Sequence, residues 1–429
     1  MAVLATLAFA PCVAAQTPSD SLSLEVQRLR FLLDSLALEV ARLSGGATPA
    51  QDQTELERLR AAAAAAAAAG GVGAPPDTAD AQEFVGRERS LQDLNPEISV
   101  TGDVFGQVIT DDPRQENFFA REFEVSFVSN LDPYSRAKVF LSRHAPGGEI
   151  QPFPGAEEEE HAEFGVEEGY VEWVGLPAGL GLKLGRFHQQ FGQLNRWHPH
   201  ALPSQSRSLP HLTFIGEEAL AQTGASVYWL LPVGGGGRGT YQATFELTTS
   251  ENETLFGESN RPSVLGHLNG FWILSSSIDL DLGLSWVNGS YEDETSFFDR
   301  NLFGAEMALT WRPPAQALYR GVTVRGGVMA LDGLVPGAGA DNAWGYWGSV
   351  EARLSQRWLV GGRADRVENP ADPSETAWLA APTLTWWQSE YVRLRVEYDL
   401  QGLGAANDTE GRVLLQATFA VGPHRHEQY

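Results

Sequence analysis

The feature that most constrains the fold is a strict alternation of apolar and polar residues in short segments of the chain. From Val392 to Leu400 every second residue is apolar, and every residue between them is charged. From Leu280 to Trp286 apolar residues again occupy alternate positions. Because successive side chains of a β-strand point to opposite faces, this pattern predicts strands with one apolar and one polar face.

The two faces of these strands indicate what surrounds them. Hydrophobic residues make up 43% of the 429-residue chain, yet we find no run of 18 or more apolar residues that could cross a bilayer as a helix. A barrel with lipid outside and water inside requires such alternation, whereas a soluble β-sandwich, the open alternative, also alternates but seldom with so charged a face. About sixteen candidate strands lie between Ile98 and Val421. We therefore predict an all-β fold, a transmembrane antiparallel β-barrel of about 16 strands, over residues 95–429.

The connections between the predicted strands alternate in length, as outer-membrane barrels require. The short turns are expected at Asp132-Pro133, Pro177-Ala178-Gly179, Leu280, Ser355-Gln356 and Gln388-Ser389. Eight longer connections are expected to form outer loops, after Ile109, Arg143, Phe187, Thr249, Tyr291, Leu331, Val367 and Leu400. Both ends of the barrel sequence then face the periplasm.

The first residues have the pattern of a secretory signal peptide. An apolar run from Val3 to Phe9 is followed by the small residues Val13-Ala14-Ala15, which predicts a signal over residues 1–15. A buried hydrophobic terminus is the alternative interpretation. Cleavage after Ala15 would remove Cys12, the single cysteine, so the mature protein would hold no thiol.

Residues 16–44 are predicted to form a coiled-coil stalk in the periplasm. Apolar residues recur there with gaps that alternate between four and three, which is a heptad pattern. A lone amphipathic helix lying on its own domain remains an alternative, and β-branched residues at one core position favour a dimer whereas a second apolar stripe leaves a trimer open. Residues 45–94 are an Ala/Gly/Pro-rich linker with a short helix. The predicted coiled-coil core consists of Leu22, Val26, Leu29, Leu33, Leu36, Val40 and Leu43.

One short motif resembles a known family. The segment Gly185-Arg186-Phe187-His188-Gln189-Gln190-Phe191-Gly192 is similar to the Gly-Arg/Lys-Phe-x-x-Pro-Phe-Gly signature of the phosphate-selective porin O and P family, with Gln190 at the place of the proline. The resemblance covers most of residues 95–429 and implies a sixteen-stranded porin, commonly trimeric, that passes small anions. The family's pore is lined by many lysines and arginines, whereas this chain has two lysines. A coiled coil before such a barrel also resembles the architecture of the sucrose-porin type.

The third outer loop, roughly His188 to Glu217, is the longest and is expected to fold inward and narrow the channel. No aspartate or glutamate occurs from His188 to Gly216, so we expect a mild anion preference that grows as the pH falls through about 6.5. Two other interpretations are histidines that only pack within the loop and a metal site at Trp197-His198-Pro199-His200. Because that segment has no carboxylate or cysteine nearby in the sequence, we predict no metal site. The candidate constriction residues are His188, Arg196, His198, His200, Arg207 and His211.

Strand alternation also predicts which charged residues face the lumen. A water-filled lumen tolerates charge, whereas an arginine facing lipid would cost roughly 2 to 4 kcal/mol near the midplane. The run Glu157-Glu158-Glu159-Glu160 forms either an acidic mouth or a solvated outer loop. The predicted lumen-facing residues are Glu122, Glu124, Lys138, Glu168, Glu172, Lys183, Arg353, Arg363, Arg393 and Arg395.

Composition and motifs exclude several classes of function. The 30 basic and 55 acidic residues give a net charge of −25, which disfavours nucleic-acid binding. We find no nucleophile elbow, zincin motif or phosphate loop, so we expect neither an enzyme nor a cofactor. The predicted function is an outer-membrane porin for small hydrophilic solutes or ions, in contact with outer-membrane lipid and assembled as a homo-oligomer, with a trimer favoured. The alternative is a structural anchor whose coiled coil binds the cell wall or a periplasmic partner.

Overall fold

The computed structural model describes residues 96–109, 118–144, 150–153, 164–232, 239–402 and 409–422. The predicted signal peptide, coiled coil and linker lie outside these residues, as do the four glutamates of the second outer loop.

The described residues form sixteen strands that close into a single antiparallel barrel, in which β1 pairs with β16. The prediction of an antiparallel barrel of about sixteen strands is confirmed. Each strand pairs with its neighbours in sequence, so closure leaves no unpaired edge. The strands are β1 (Glu97–Ile109), β2 (Phe118–Asn130), β3 (Ser135–His144), β4 (Phe164–Leu176), β5 (Leu180–His188), β6 (Ala221–Leu230), β7 (Gly239–Thr249), β8 (Pro262–Ser275), β9 (Ile278–Glu292), β10 (Phe297–Trp311), β11 (Gly321–Asp332), β12 (Asn342–Arg353), β13 (Trp358–Asn369), β14 (Asp372–Trp387), β15 (Val392–Gly402) and β16 (Thr409–Val421).

The alternation in the sequence sets the two faces of the wall. In β15, Leu394 and Val396 are exposed on the outer face, while Arg393 and Arg395 are buried inside. The register places apolar residues opposite apolar residues, since Val396 lies opposite Leu384 and Leu415 on the neighbouring strands. The outer wall is therefore apolar where the inner wall carries charge.

Three of the predicted connections are wrong. The connection expected to be long after Tyr291 has four residues, 293–296, and is no longer than the turn between β2 and β3. Leu280 is not a turn residue, since β9 begins at Ile278 and the turn lies at residues 276–277. The connection expected to be long after Val367 is instead a two-residue turn, because β13 continues to Asn369 and β14 begins at Asp372. The intervening Pro370-Ala371 fits a tight turn, since proline cannot extend a ladder of hydrogen bonds.

The long connection between β5 and β6, residues 189–220, is called loop 3 here and lies inside the barrel. It contains helices α1 (Gly192–Asn195) and α2 (Leu209–Phe214), and a third short helix, α3 (Glu253–Phe256), follows β7. Among the described helices, none is both long and apolar enough to span a bilayer. Pro210 is in the first turn of α2, where a missing backbone N–H is no disadvantage.

An apolar core joins loop 3 to one side of the wall. Helix α2 packs against β12, β13 and β14, and its Leu209 and Phe214 are buried together with Leu302 and Val367 of the wall. Burying a side chain of this size contributes about 1.5 to 3 kcal/mol. One part of the inner wall is therefore a packing surface for loop 3 and is not lined by water.

Candidate functional site

The two ends of loop 3 are hydrogen-bonded to each other where the loop leaves and rejoins the wall. The backbone N–H of Gln189 donates to the carbonyl of Leu220 over 2.9 Å, which brings the two ends of the loop together. The buried amide of Asn195 reinforces this closure, since it donates to Gln189 O at 2.9 Å and accepts from Leu220 N at 2.7 Å. The loop therefore has a defined exit from the barrel wall.

Gly192 at the start of α1 shows why the last glycine of the family-like motif matters. Its φ of +70° is in the left-handed region, which L-amino acids with a side chain rarely adopt. A Cβ built on Gly192 would lie 2.5 Å from a carboxylate oxygen of Glu306. Glycine adopts this φ without strain and leaves room for the carboxylate beside the loop backbone.

Carboxylates on the inner wall hold the backbone of loop 3 along its path. Each accepts a hydrogen bond from a backbone N–H near or within the loop, and together they come from six strands. A carboxylate that accepts backbone N–H groups forms a charge-assisted bond, which is stronger than a neutral one. The pairs are Glu168 with His188 (2.7 Å), Glu246 with Gln190 (3.3 Å), Glu306 with Gln193 (2.9 Å), Glu122 with His200 (3.1 Å), Glu397 with Gln205 (2.9 Å) and Asp365 with Leu209 (3.0 Å).

Wall arginines bind carbonyl groups of the same loop. Arg393 donates to His200 O at 2.6 Å and Arg395 donates to Leu202 O at 2.9 Å. Arg363 donates to the carbonyl of Ser206, and Arg121 donates to the carbonyls of Pro199 and Gln205. The carboxylates of the lumen therefore bind backbone N–H groups of loop 3, and the arginines of the lumen bind its backbone carbonyl groups.

The other predicted lumen residues are also inside the barrel. Lys138 and Lys183 lie over the Tyr170 ring, with Nζ at 5.7 and 4.9 Å from the ring centre. Glu172 accepts from Tyr228 Oη at 2.9 Å. Arg353 is half-buried at the end of β12 and donates to Gln356 O in the following turn at 3.3 Å, so it lies at the end of the barrel away from loop 3.

The two arginines of loop 3 have different surroundings. Arg207 is buried and donates to the carbonyls of Leu194, Trp197 and Glu217. Arg196 is half-buried and donates to the side chain of Gln190 at 2.9 Å. Arg207 thus holds the loop together from within, and Arg196 is the arginine of the loop with a partly accessible side chain.

Three of the predicted histidines meet carboxylates from β2 and β4. We call His188, His198, His200, Glu122, Glu124, Glu167 and Glu168 the histidine–carboxylate cluster. His198 Nδ1 lies 2.8 Å from Glu124 and 3.1 Å from Glu167, and His200 Nδ1 lies 2.8 Å from Glu122. The carboxylates that the sequence around the His-Pro-His segment lacks are therefore supplied by strands distant in the chain.

Glu167 and Arg121 were missed because β-bulges interrupt the alternation. Strict alternation from Glu168 and Glu122 would turn both residues toward lipid. Instead, the register shifts between Phe140 and Leu141, and again between Asp103 and Phe105, so that Glu167-Glu168 and Arg121-Glu122 both lie inside. A bulge adds one residue to a strand and redirects a side chain.

The surroundings of three loop 3 histidines shift their pKa values away from the usual value of a histidine. Burial lowers the pKa of His198, but the carboxylates of Glu167 and Glu124 outweigh it and raise that pKa well above its usual value. Burial also lowers the pKa of His200, but the carboxylate of Glu122 has the larger opposite effect, so this pKa is raised as well. Burial, with Arg207 and Arg363 nearby, lowers the pKa of His211 to about 3. The pKa of His198 and of His200 is therefore shifted upward from the usual value, and that of His211 is shifted downward.

Comparison with solved structures shows which fold this is. The chain is similar to OprB of Pseudomonas putida (TM-score 0.53, 10% identity, 77% of this chain and 95% of that one). It is also similar to the anion-selective porin of Comamonas acidovorans (0.53, 10%, 76% and 99%) and to OmpF of Salmonella typhi in complex with daunomycin (0.51, 8%, 77% and 99%). At such low identity the likeness shows a porin-type barrel fold and does not single out the phosphate-selective family.

No model of a protein family matches the chain. An uncharacterized protein of Aquifex aeolicus (strain VF5) is 43% identical over 68 residues, which is 16% of this chain. The match spans 14% of that relative's length.

Proposed function

We propose that the protein is an outer-membrane channel through which small hydrophilic solutes diffuse. The observation that carries the proposal is a closed sixteen-stranded barrel whose outer face is apolar, whose inner face is charged, and across whose lumen the wall holds loop 3. Apolar residues at alternate positions, such as Leu282, Leu284 and Trp286 of β9, suit contact with lipid. The porin-type fold supports the same conclusion.

Loop 3 narrows the channel and sets its selectivity, with a mild preference for anions. Many wall carboxylates accept N–H groups of the loop, so their charge is partly offset where the loop crosses the lumen. At physiological salt the reach of an exposed charge is about 8 Å, and groups at the narrowest point therefore dominate. Arg196 is the group of loop 3 that we expect to carry most of this preference.

The test is conductance of the purified protein in a planar bilayer with unequal salt on the two sides. We expect stepwise currents and a reversal potential on the anion side. Arg196→Gln should move the reversal potential toward cations, because it removes a permanent positive charge from the loop. Arg357→Gln, an exposed arginine in the turn after β12, is the matched control and should behave as the wild type.

Two results would contradict the proposal in different ways. A folded barrel without stepwise currents would favour the structural anchor. A wild-type channel that prefers cations would leave the porin function intact and assign selectivity to the wall carboxylates. We also propose, from the family resemblance, that the barrels assemble as a homo-oligomer, with a trimer favoured.

A further inference from the structure

The histidine–carboxylate cluster has the composition and spacing of a metal site. Glu167, His188 and His198 each offer one ligand atom, and these atoms lie within 4.8 Å of one another. Glu167 Oε1 is 3.4 Å from His188 Nε2 and 3.1 Å from His198 Nδ1. Ligands of a tetrahedral zinc ion, at bond lengths of about 2.0 to 2.1 Å, lie about 3.3 Å apart. The observed separations require only small side-chain shifts.

A second set of ligands overlaps the first. Glu122, Glu124, Glu167 and His198 also place their ligand atoms within 4.8 Å of one another. Glu124 Oε2 lies 2.8 Å from His198 Nδ1, and the two sets share Glu167 and His198. Two imidazoles with carboxylates suit zinc and its neighbours in the first transition row better than calcium or magnesium, which prefer oxygen alone.

His188 provides the independent observation that points to a ligand. Its side chain is 1% exposed, and within the part of the chain that the structure describes neither ring nitrogen makes a hydrogen bond. The same holds for Oε2 of Glu167. A buried polar group left without a hydrogen bond costs about 1 to 3 kcal/mol. Coordination of a cation would satisfy both side chains.

A metal-free network of ion pairs explains only part of the cluster. It accounts for His200, whose Nδ1 lies 2.8 Å from Glu122. It does not account for His188, whose Nε2 lies 3.4 Å from Glu167 Oε1, beyond a well-formed hydrogen bond. Glu167 pairs with His198 at 3.1 Å in such a network, but its second carboxylate oxygen, Oε2, has no hydrogen-bond partner among the described residues.

We propose that this cluster binds one divalent transition-metal ion of the zinc type through Glu167, His188 and His198, with Glu124 of the overlapping set beside Glu167 and His198. The site joins β2, β4, the end of β5 and the interior of loop 3, so the ion fastens the loop to the wall. Binding of this ion does not require that the barrel conduct, and the inference therefore goes beyond the proposed channel function.

The experiment is a titration of the full-length, refolded or membrane-purified protein with Zn²⁺ after treatment with a chelator. Calorimetry should show one ion per chain, and Co²⁺ in place of Zn²⁺ should give the visible absorption of a four-coordinate site. His188→Ala should weaken binding on the order of tenfold or more. Glu167→Gln, which keeps the size of the side chain, should do the same.

Two controls separate this site from other metal-binding sequences. His211→Ala removes a loop histidine outside the cluster and should bind as the wild type. The double variant His424→Gln, His426→Gln removes the His-Arg-His segment near the C-terminus, and it should also retain the site. The gel mobility of the unheated barrel identifies variants that fail to fold, and Glu167→Gln then decides the question. Absence of binding to the wild type, binding unchanged in both cluster variants, or binding lost only in the His424/His426 variant would each overturn the proposal.

Discussion

The side chains of loop 3 show that residues of one type can have different tasks a few positions apart. Arg196 is half-buried beside Gln190, whereas Arg207 is buried and binds carbonyl groups of its own loop. His211 differs from His198 in the same way, because arginines surround the first and carboxylates the second. Charge alone therefore does not identify which residues of the loop meet a solute.

Removing the buried arginine should affect stability more than selectivity. Arg207→Gln leaves the carbonyls of Leu194 and Trp197 without their donor, which should lower the free energy of unfolding by about 1 to 3 kcal/mol. Denaturant unfolding followed by gel mobility or tryptophan fluorescence measures this change. Arg357→Gln serves as the exposed control. If Arg207→Gln is as stable as the control, the loop does not depend on these bonds.

His211 should make the barrel less stable in acid. Its pKa is about 3 in the fold and about 6.5 in an unfolded chain. Above pH 6.5 the residue has no effect; between pH 6.5 and 3 the unfolded chain gains a proton that the folded one does not, so stability falls as the pH falls. His211→Asn, which cannot titrate, should flatten this loss, by up to about 1.4 kcal/mol per pH unit. Parallel stability curves for the two proteins between pH 8 and 4 would contradict the prediction.

At the level of elements, the fold depends on the close approach of α2 to the wall. The two meet where Pro210 and Phe214 lie over Gly345 of β12. A Cβ on Gly345 would be 2.6 Å from Cβ of Pro210, which is far inside van der Waals contact. This small residue on the wall is what allows the apolar face of α2 to be buried.

Gly345→Ala should therefore push α2 away from the wall. Overpacking of this kind typically costs about 1 to 3 kcal/mol, and the displaced loop should also change the single-channel conductance. Gly348→Ala, on the same strand, is the matched control, since its Cβ would meet no atom closer than 3.9 Å. Equal stability and equal conductance of the two variants would show that α2 does not rest on Gly345.

At the level of the whole molecule, closure of the sheet separates an inside from an outside. Every strand has two hydrogen-bonded neighbours, so the backbone polar groups of the paired residues are satisfied within the wall, as hydrocarbon requires. The charged side chains inside the barrel bind the backbone of loop 3 and suit a water-filled lumen. One sheet thus provides the lipid contact and the polar interior.

Adjacent cysteines in β12 should report these two environments. In a Cys12→Ser background, Glu351→Cys should react with a charged, membrane-impermeant thiol reagent in intact membranes, because residue 351 is on the inner face and half-buried. Val350→Cys should resist that reagent and react with a lipophilic maleimide, because Val350 is exposed on the outer face. Equal labelling of both positions by the charged reagent would mean that the outer face does not meet lipid.

The sequence by itself determined the strands and their faces, because a period of two residues places Arg393 and Leu394 on opposite sides of any strand. The path of loop 3 depended on the tertiary structure. Glu167 precedes His198 by 31 positions and Glu124 precedes it by 74, and only a closed barrel with a loop folded inward brings them together. The bulges at Glu167 and Arg121 also could not be identified without the pairing of the strands, because an extra residue in one strand is defined only by comparison with its neighbour. Alternation is a local property of the backbone, whereas a site assembled across a lumen depends on which distant segments pack against each other.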